Sequence, residues 1–403
     1  MAYTARSFSP IHQAPRQDWS TVHDAVGDRF TDPAFIAAVE KTLGELAPTE
    51  VVIVYDDHAR PVAIATQSIV RLDVTMEATP FWRSCVAKVR RVWPNFLRLN
   101  VAMWGLPACF EQQKLCSLPQ ADQSEVLRAA DFALSAFAKR HGSSIALTGD
   151  FFAADDAWLA PLQQLGYVRG GSYATHYLEL DYPDIQAYLE AMRSSYRNDI
   201  LADMRLFRPE HVRVEELDAA AMGDEPISER LYGYYRQLLD RVDFHLLTLP
   251  REFFNEYLAA CGEHLKVAIA YVDDQPAGFS IGIEMESMYR LLLIITDEEL
   301  SRRYGLYRNL YFRQIDYALK HGFRRISLGT TADDFKLRLG SKPYEQILYA
   351  KATGVLKWPL RWFSKQLLPR VEAPKPKNVF RSEPATTKVG TTNRGSQKRN
   401  RAA

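Results

Sequence analysis

The stretch from Tyr289 to Gly322 holds the residues whose types and spacing come nearest to chemistry. An apolar run ends in Ile294, Ile295 and Thr296. Arg302, Arg303, Tyr304, Gly305, Leu306 and Tyr307 follow, and Asn309 carries a helical pattern on to Gly322. A strand that turns into a helix start presents backbone N–H groups without intrahelical partners. Together with the helix dipole these donors bind phosphate. Glycine at 305 lets the main chain approach a pyrophosphate closely, and Arg302 and Arg303 add charge-assisted donors beside it. An ordinary strand–turn–helix with a glycine is the plainer alternative.

Other residues offer less. Asp334 and Lys336 read either as binding groups for a substrate or as an exposed ion pair. His245 and Arg241 sit in a broken helical region that is expected to face a cleft, although lone histidines are more often structural. No His/Asp/Glu cluster has metal-ligand spacing, and no Gly-x-Ser-x-Gly elbow or Walker loop occurs, so no metal is expected.

The elements that must position these residues repeat along the chain. A helical pattern ends at His141-Gly142 and again at His321-Gly322, where glycine suits a left-handed cap. A short strand follows each and reaches glycine eight positions after the histidine. Upstream, Val51–Tyr55, Asp56-Asp57 and Pro61–Ala65 echo Val267–Val272, Asp273-Asp274 and Pro276–Ile281 as a strand, an acidic turn and a second strand. The first half is longer between these marks, which places an insertion around 71–98. In the second half the pattern gives a helix over 184–206, a strand at Val212–Leu217 and a helical region 226–263 broken by Pro250. Strands at 266–273, 276–284 and 288–296, a helix at 306–321 and a strand at 324–329 come next. An irregular Lys-rich segment and a strand near 345–352 close it. The expected fold is α/β: two tandem domains, 1–180 and 181–370, each a mixed, mostly antiparallel sheet flanked by helices.

Arg302-x-x-Gly305 between a strand and a helix, after a hairpin and before His-Gly and another strand, resembles the acyl-CoA loop of the GNAT acyltransferase superfamily, with Tyr307 in place of the last small residue. Gly329 to Gly340, with Asp333, Asp334 and Lys336, resembles the FemAB-like branch, which is related to peptidoglycan aminoacyltransferases. The helix with Ser195-Tyr196-Arg197-Asn198 is similar to that branch's opening helix. The likeness covers roughly 184–352 well and 30–180 in outline. After its strand at 96–104 the first half has Gly105-Leu106-Pro107 instead of Arg-x-x-Gly, so its own loop is degenerate.

The resemblance implies tandem GNAT-like domains and an acyl-CoA-dependent N-acyltransferase. Its donor would lie against Ile294–Tyr307 and Asn309, and its acceptor would be a small amine. An aminoacyl-tRNA-dependent transferase acting on a cell-envelope precursor and a non-catalytic tandem module are the alternatives. By the same resemblance Glu284 or Glu286 is the base, Tyr344 the acid with Tyr349 as competitor, and Arg197, His245, Asp334 and Lys336 border the acceptor. Main-chain amides near Ile295 would hold the thioester carbonyl.

Composition agrees with a soluble globular chain: 47% hydrophobic, 25% charged and 12% aromatic over 403 residues. Four cysteines without CxxC spacing and a polar start suit a reducing cytoplasmic location. Residues 371–403 hold eight Lys or Arg and two Glu, a charge of +6, so the remainder is −5 against the total of +1. That tail reads as a disordered, solubilising segment without specific nucleic-acid binding. In 356–370, aromatic and aliphatic residues alternate with Lys357, Arg361, Lys365 and Arg370. Docking on the domain is the preferred reading there, and weak contact with an anionic membrane surface the other.

Overall fold

The computed structural model describes residues 2–73, 80–107, 111–218, 227–241, 247–362, 368 and 372–381. Its strands are β1 Thr4–Phe8, β2 Thr49–Tyr55, β3 Pro61–Asp73, β4 Arg98–Trp104, β5 Leu115–Ser117, β6 Ile145–Phe152, β7 Val168–Glu179, β8 Val212–Asp218, β9 Leu265–Val272, β10 Gln275–Glu284, β11 Tyr289–Thr296, β12 Arg325–Ser327 and β13 Lys342–Ala352. They form a single mixed sheet in the order β1-β2-β3-β4-β6-β13-β7-β12-β11-β10-β9-β8, with β5 beside β3.

The repeat read from the sequence is a structural repeat. Hairpin β2–β3 matches hairpin β9–β10, where Asp273 and Asp274 take φ of 48° and 60° in the tight turn. The parallel pair β4/β6 matches β11/β12. Helix Gln123–Arg140 matches Leu306–Lys320, and both end in a histidine followed by glycine at positive φ.

Each half's last strand lies in the other half's sheet. β7, which closes the first half, sits between β13 and β12, while β13 pairs with β6 of the first half. A boundary near 180 therefore divides the sequence but not the sheet. The insertion around 71–98 contains a helix at Pro80–Arg90.

Two faces follow from strand parity. On the back face, Gln123–Arg140 covers the first half and Leu306–Lys320 the second. On the front face one core takes Val51 and Ile53 from β2, Val267 and Ile269 from β9 and Phe279 from β10. Helices Pro33–Leu43 and Arg251–Cys261 complete it, with the Phe35 and Tyr257 rings 5.1 Å apart. β2 and β9 would stand about 40 Å apart across a flat sheet at ~4.8 Å per strand. The sheet therefore twists so that its flanks converge over the front of the central strands.

Three expectations change. The helix over 184–206 is two helices, Ile185–Ala191 and Ser194–Leu206, because Met192 leaves the helix to bridge Phe380. The irregular segment after 329 contains a helix, Asp333–Arg338. The tail is not without structure from 371: within 372–381, Val379 and Phe380 are buried, and backbone bonds join Arg193 N to Val379 O (2.8 Å) and Arg381 N to Ala191 O (3.0 Å). Phe380 packs against Tyr182 and Tyr188 at 5.7 and 5.9 Å and roofs Gly340, where a Cβ would meet its ring. Phe380→Ala is expected to cost about 3 kcal/mol in chemical denaturation, since it empties a closed aromatic site. An unchanged midpoint would mean that the strap does not hold the second half together.

Candidate functional site

β11 and β12 are paired only at Tyr289–Ile326 and Arg290–Ser327. Beyond that point they part, and the opening runs toward Thr296 on one side and Gly329–Ala332 on the other. Asp297 caps the next helix, Glu298–Tyr304, through a bond from Leu300 N of 2.9 Å. Arg302, Arg303 and Tyr304 are thus its last turn rather than an open loop. Arg302 and Arg303 are exposed, Arg302 lying 3.3 Å from Glu298.

Gly305 is left-handed at φ 64° and begins helix Leu306–Lys320. A Cβ there would lie 3.0 Å from Asp203 O and 3.3 Å from Leu206 Cβ, so the missing side chain admits helix Ser194–Leu206. Gly305→Ala is expected to lose about 1–2 kcal/mol in thermal or urea unfolding; a neutral result would show that the two helices separate freely. Tyr307 N already has a partner, Ser301 Oγ at 3.1 Å. Asn309 is buried and ties Gly305 O to Asp203 O at 2.9 and 3.0 Å. The rings of Tyr307, Tyr311 and Phe335 pack at 5.1–6.2 Å and join this helix to Asp333–Arg338 across the opening.

A buried polar cluster occupies the front face where the strands part. Glu111, from the first half, accepts from Ser327 Oγ at 2.5 Å and Tyr177 OH at 2.9 Å. Its carbonyl accepts from Arg290 Nη1 at 2.8 Å. Glu111 holds φ 58° without being glycine, a conformation found where the surroundings dictate it. Asp28 fixes the same loop by accepting from Gln113 N at 3.1 Å. Burial raises its pKa, opposed by the charge of Arg290.

Lys336 is 1% exposed, and its ammonium donates to Thr330 O. Burial pulls its pKa down to about 7, against the pull of Asp333 and Glu111 upward. His176, fully buried, clamps the helix that carries Lys336. Its Nε2 lies 3.0 Å from Asp333 Oδ1 and its Nδ1 3.0 Å from Ser341 Oγ. Thr331 and Ala332, both left-handed, make the turn into that helix.

Tyr344 is part of this face. It meets Tyr177 edge-on at 5.2 Å, with Phe152 beside both. Gln346, two residues on, and Thr175, opposite Tyr344, share the face. Both amide atoms of Gln346, Thr175 Oγ1 and Arg290 Nε are buried without a hydrogen-bond partner among the described residues. Such groups point to a ligand or water between them.

The other expected site residues lie elsewhere. Glu284 is on the back face, where it accepts from Tyr317 OH at 2.7 Å, and Glu286 is exposed in the turn after β10. Tyr349 faces the first half's back core and donates to Asp156 Oδ1 at 2.5 Å. Asp334 is not the partner of Lys336: it is exposed and pairs with Arg338 and Lys377. Arg197 is half-buried on helix Ser194–Leu206. His245 falls outside the described residues. Sequence reasoning missed Glu111, Tyr177, Ser327 and His176. The one signal at hand was Arg290, a charge inside an apolar strand. Among the described residues no group of three or more His, Cys, Asp or Glu is placed to hold a metal.

Residues 186–337 match the sequence model of the acetyltransferase (GNAT) domain family. Among solved structures, a tandem GNAT protein from the clavulanic acid biosynthesis pathway is similar at TM-score 0.54 and 12% identity, over 87% of this chain and 99% of that one. FemX gives 0.53 and 13%, over 90% and 100%. The C-terminal domain of a putative lysylphosphatidylglycerol synthetase from Agrobacterium fabrum gives 0.51 and 9%, over 89% and 99%. Identities this low establish likeness of fold. Comparison with curated proteins found no match. Residues 186–337 thus match the acetyltransferase (GNAT) domain family, and the chain as a whole shares the fold of the tandem GNAT protein and of FemX.

Proposed function

We propose that the protein is an N-acyltransferase that moves an acyl group from acyl-CoA to the amine of a small acceptor such as an amino acid or amino sugar. The observation that carries this reading is Glu111, held by Tyr177, Ser327 and Arg290 where β11 and β12 part. A carboxylate so placed takes the proton from the acceptor's ammonium. The freed amine attacks the thioester carbonyl, the carbon–sulfur bond breaks, and the leaving thiolate takes a proton. Tyr344, edge-on to Tyr177 at 5.2 Å, is the phenol that would serve as acid, and Lys336, its pKa pulled down to about 7 by burial, is a second proton carrier. Gln346, Thr175 and Arg290 Nε would hold the polar part of the acceptor. The free thiols of Cys85, Cys116 and Cys261 suit the reducing cytosol.

The donor's phosphates would meet the start of helix Leu306–Lys320 and the exposed Arg302 and Arg303. Calorimetric titration with acetyl-CoA and a long-chain acyl-CoA tests this. Wild type should bind, and Arg302→Glu/Arg303→Glu should weaken binding about tenfold or more, with no loss of fold because both side chains are exposed.

One observation favours a second donor. Tyr307, Tyr311 and Phe335 close the gap between the helices that border the opening. If neither CoA ester binds at millimolar concentration, the reading moves to an aminoacyl-tRNA-dependent transferase acting on a cell-envelope precursor or to a non-catalytic tandem module.

A further inference from the structure

We propose that one edge of the sheet is a docking surface for an anionic lipid bilayer. The edge is where β3 and β13 end and β4 and β6 begin. Asp73 pairs with Arg98 across β3 and β4, Val101 with Ile145 across the parallel pair β4 and β6, and Ile145 with Ala352 across β6 and β13. Two segments some 260 residues apart in sequence leave the sheet here: the insertion that joins β3 to β4, and the chain that follows β13.

Both segments expose large apolar side chains. In the first, Val92 and Trp93 are 90% and 60% exposed, with Val89 beside them on helix Pro80–Arg90. In the second, Val355, Trp358 and Trp362 are 87%, 55% and 70% exposed, and the two indoles lie 5.6 Å apart. Tryptophan exposed in this way costs apolar hydration that a folded chain normally avoids, and it is the residue best suited to the headgroup layer of a bilayer.

Charge selects the partner. In the insertion and at the start of β4, Asp73 pairs with Arg90 and Arg98, and Lys88 and Arg91 stand exposed. After β13, Lys357 is exposed beside Trp358. In a chain whose total is only +1, the exposed Lys88 and Arg91 of one segment and Lys357 of the other make a local positive field at this edge. Apolar tips set among basic groups match an anionic bilayer, which supplies both the interfacial layer and the negative surface. No helix among the described residues is long and apolar enough to cross a membrane, so the contact is peripheral.

The site opens in the direction of this edge. β12 runs antiparallel to β7 and β7 antiparallel to β13. The parting strands β11 and β12 therefore open in the direction in which β13 ends; Ser327 lies level with Lys342 across Tyr177, so the edge at Ala352 is about 30 Å further along β13.

The test needs no substrate, so it stands whether or not the acyltransferase reading holds. Full-length protein is sedimented with vesicles of phosphatidylglycerol and phosphatidylcholine, and with vesicles of phosphatidylcholine alone. It should bind the anionic vesicles, with a blue shift of tryptophan emission and quenching by brominated acyl chains, and leave the neutral ones in solution. Trp93→Ala/Trp358→Ala/Trp362→Ala should lower the partition coefficient about tenfold or more and abolish the quenching. Its unfolding midpoint should stay put, because the three side chains are exposed. Lys88→Glu/Arg91→Glu should weaken binding without removing the quenching of what remains bound. The basic tail is intact in every variant, so any binding that survives the tryptophan changes without quenching belongs to the tail. Absence of binding to anionic vesicles, or binding that the tryptophan variant leaves unchanged, would overturn the proposal. So would a concentration-dependent dimer in sedimentation that buries the tryptophans, which would make a second copy the occupant.

Discussion

Glu111→Gln lowers transfer by about 100-fold or more while leaving the fold in place. The substituted amide keeps the shape; its oxygen accepts from one of Ser327 and Tyr177 while its NH2 donates to the other's hydroxyl oxygen, and Arg290 keeps its bond to the main-chain carbonyl while losing a 3.9 Å ion pair with the carboxylate. What disappears is the capacity to take a proton from the attacking ammonium, and general-base groups are worth about 10²–10⁴ in rate. The measurement is release of free thiol from the acyl-CoA that binds best, over a panel of amine acceptors. A pH series separates the base from a mere structural support. A lost base is partly replaced at high pH, where the acceptor amine is already free, so the deficit should narrow as pH rises. A variant that retains wild-type turnover at neutral pH would remove Glu111 from the mechanism. Glu284, held on the back face by Tyr317, would then be the residue to change next.

Lys336→Met removes a pH dependence of stability as well as a candidate proton carrier. The folded chain holds this amine with a pKa pulled down to about 7, chiefly because burial disfavours the ammonium, whereas the unfolded chain returns it to 10.5. Between those values the unfolded state carries the additional proton, so stability rises with pH across the window. From pH 7 to about 9.5 the wild type should gain about 3 kcal/mol from this group, at 1.36 kcal/mol per unit. Below the folded pKa both states are protonated and the gain is absent. The upper limit avoids the tyrosines, of which Tyr55 and Tyr182 are pushed up to about 12. Methionine fills a similar volume and has no charge to bury. The variant should therefore be more stable than wild type at neutral pH and flat over the same range in urea unfolding. Equal slopes for the two proteins would mean that Lys336 stays charged in the fold.

Much of the architecture was legible in the chain. The paired acidic turns, the two His-Gly helix ends and the apolar runs that follow them are local signals. Each is written in a few neighbouring residues whose backbone preferences survive in any context, which is why the duplicated halves and the Arg-x-x-Gly segment could be placed. The break at Met192 was not legible, because it depends on Phe380, a partner 188 positions away in sequence. The helix Asp333–Arg338 was hidden for a related reason. It starts from two left-handed non-glycine residues, Thr331 and Ala332, which local propensity disfavours and the clamp of His176 on Asp333 and Ser341 holds.

The sequence by itself determined the class of fold, the repeat, and the strand-to-helix passage at 294–309, because periodicity and turn chemistry act over a few residues. Only the tertiary structure decided where the polar chemistry gathers. The exchange of β7 and β13 brings Tyr177 and Tyr344 together edge-on at the seam, and the twist of the sheet lowers Glu111 of the first half onto Arg290 and Ser327 of the second. It also buried Lys336, which the chain presents as one more lysine beside aspartates, and left Asp334 outside with Arg338 and Lys377. Burial and proximity across hundreds of residues set the charge state of a group, and neither is encoded in its immediate neighbours.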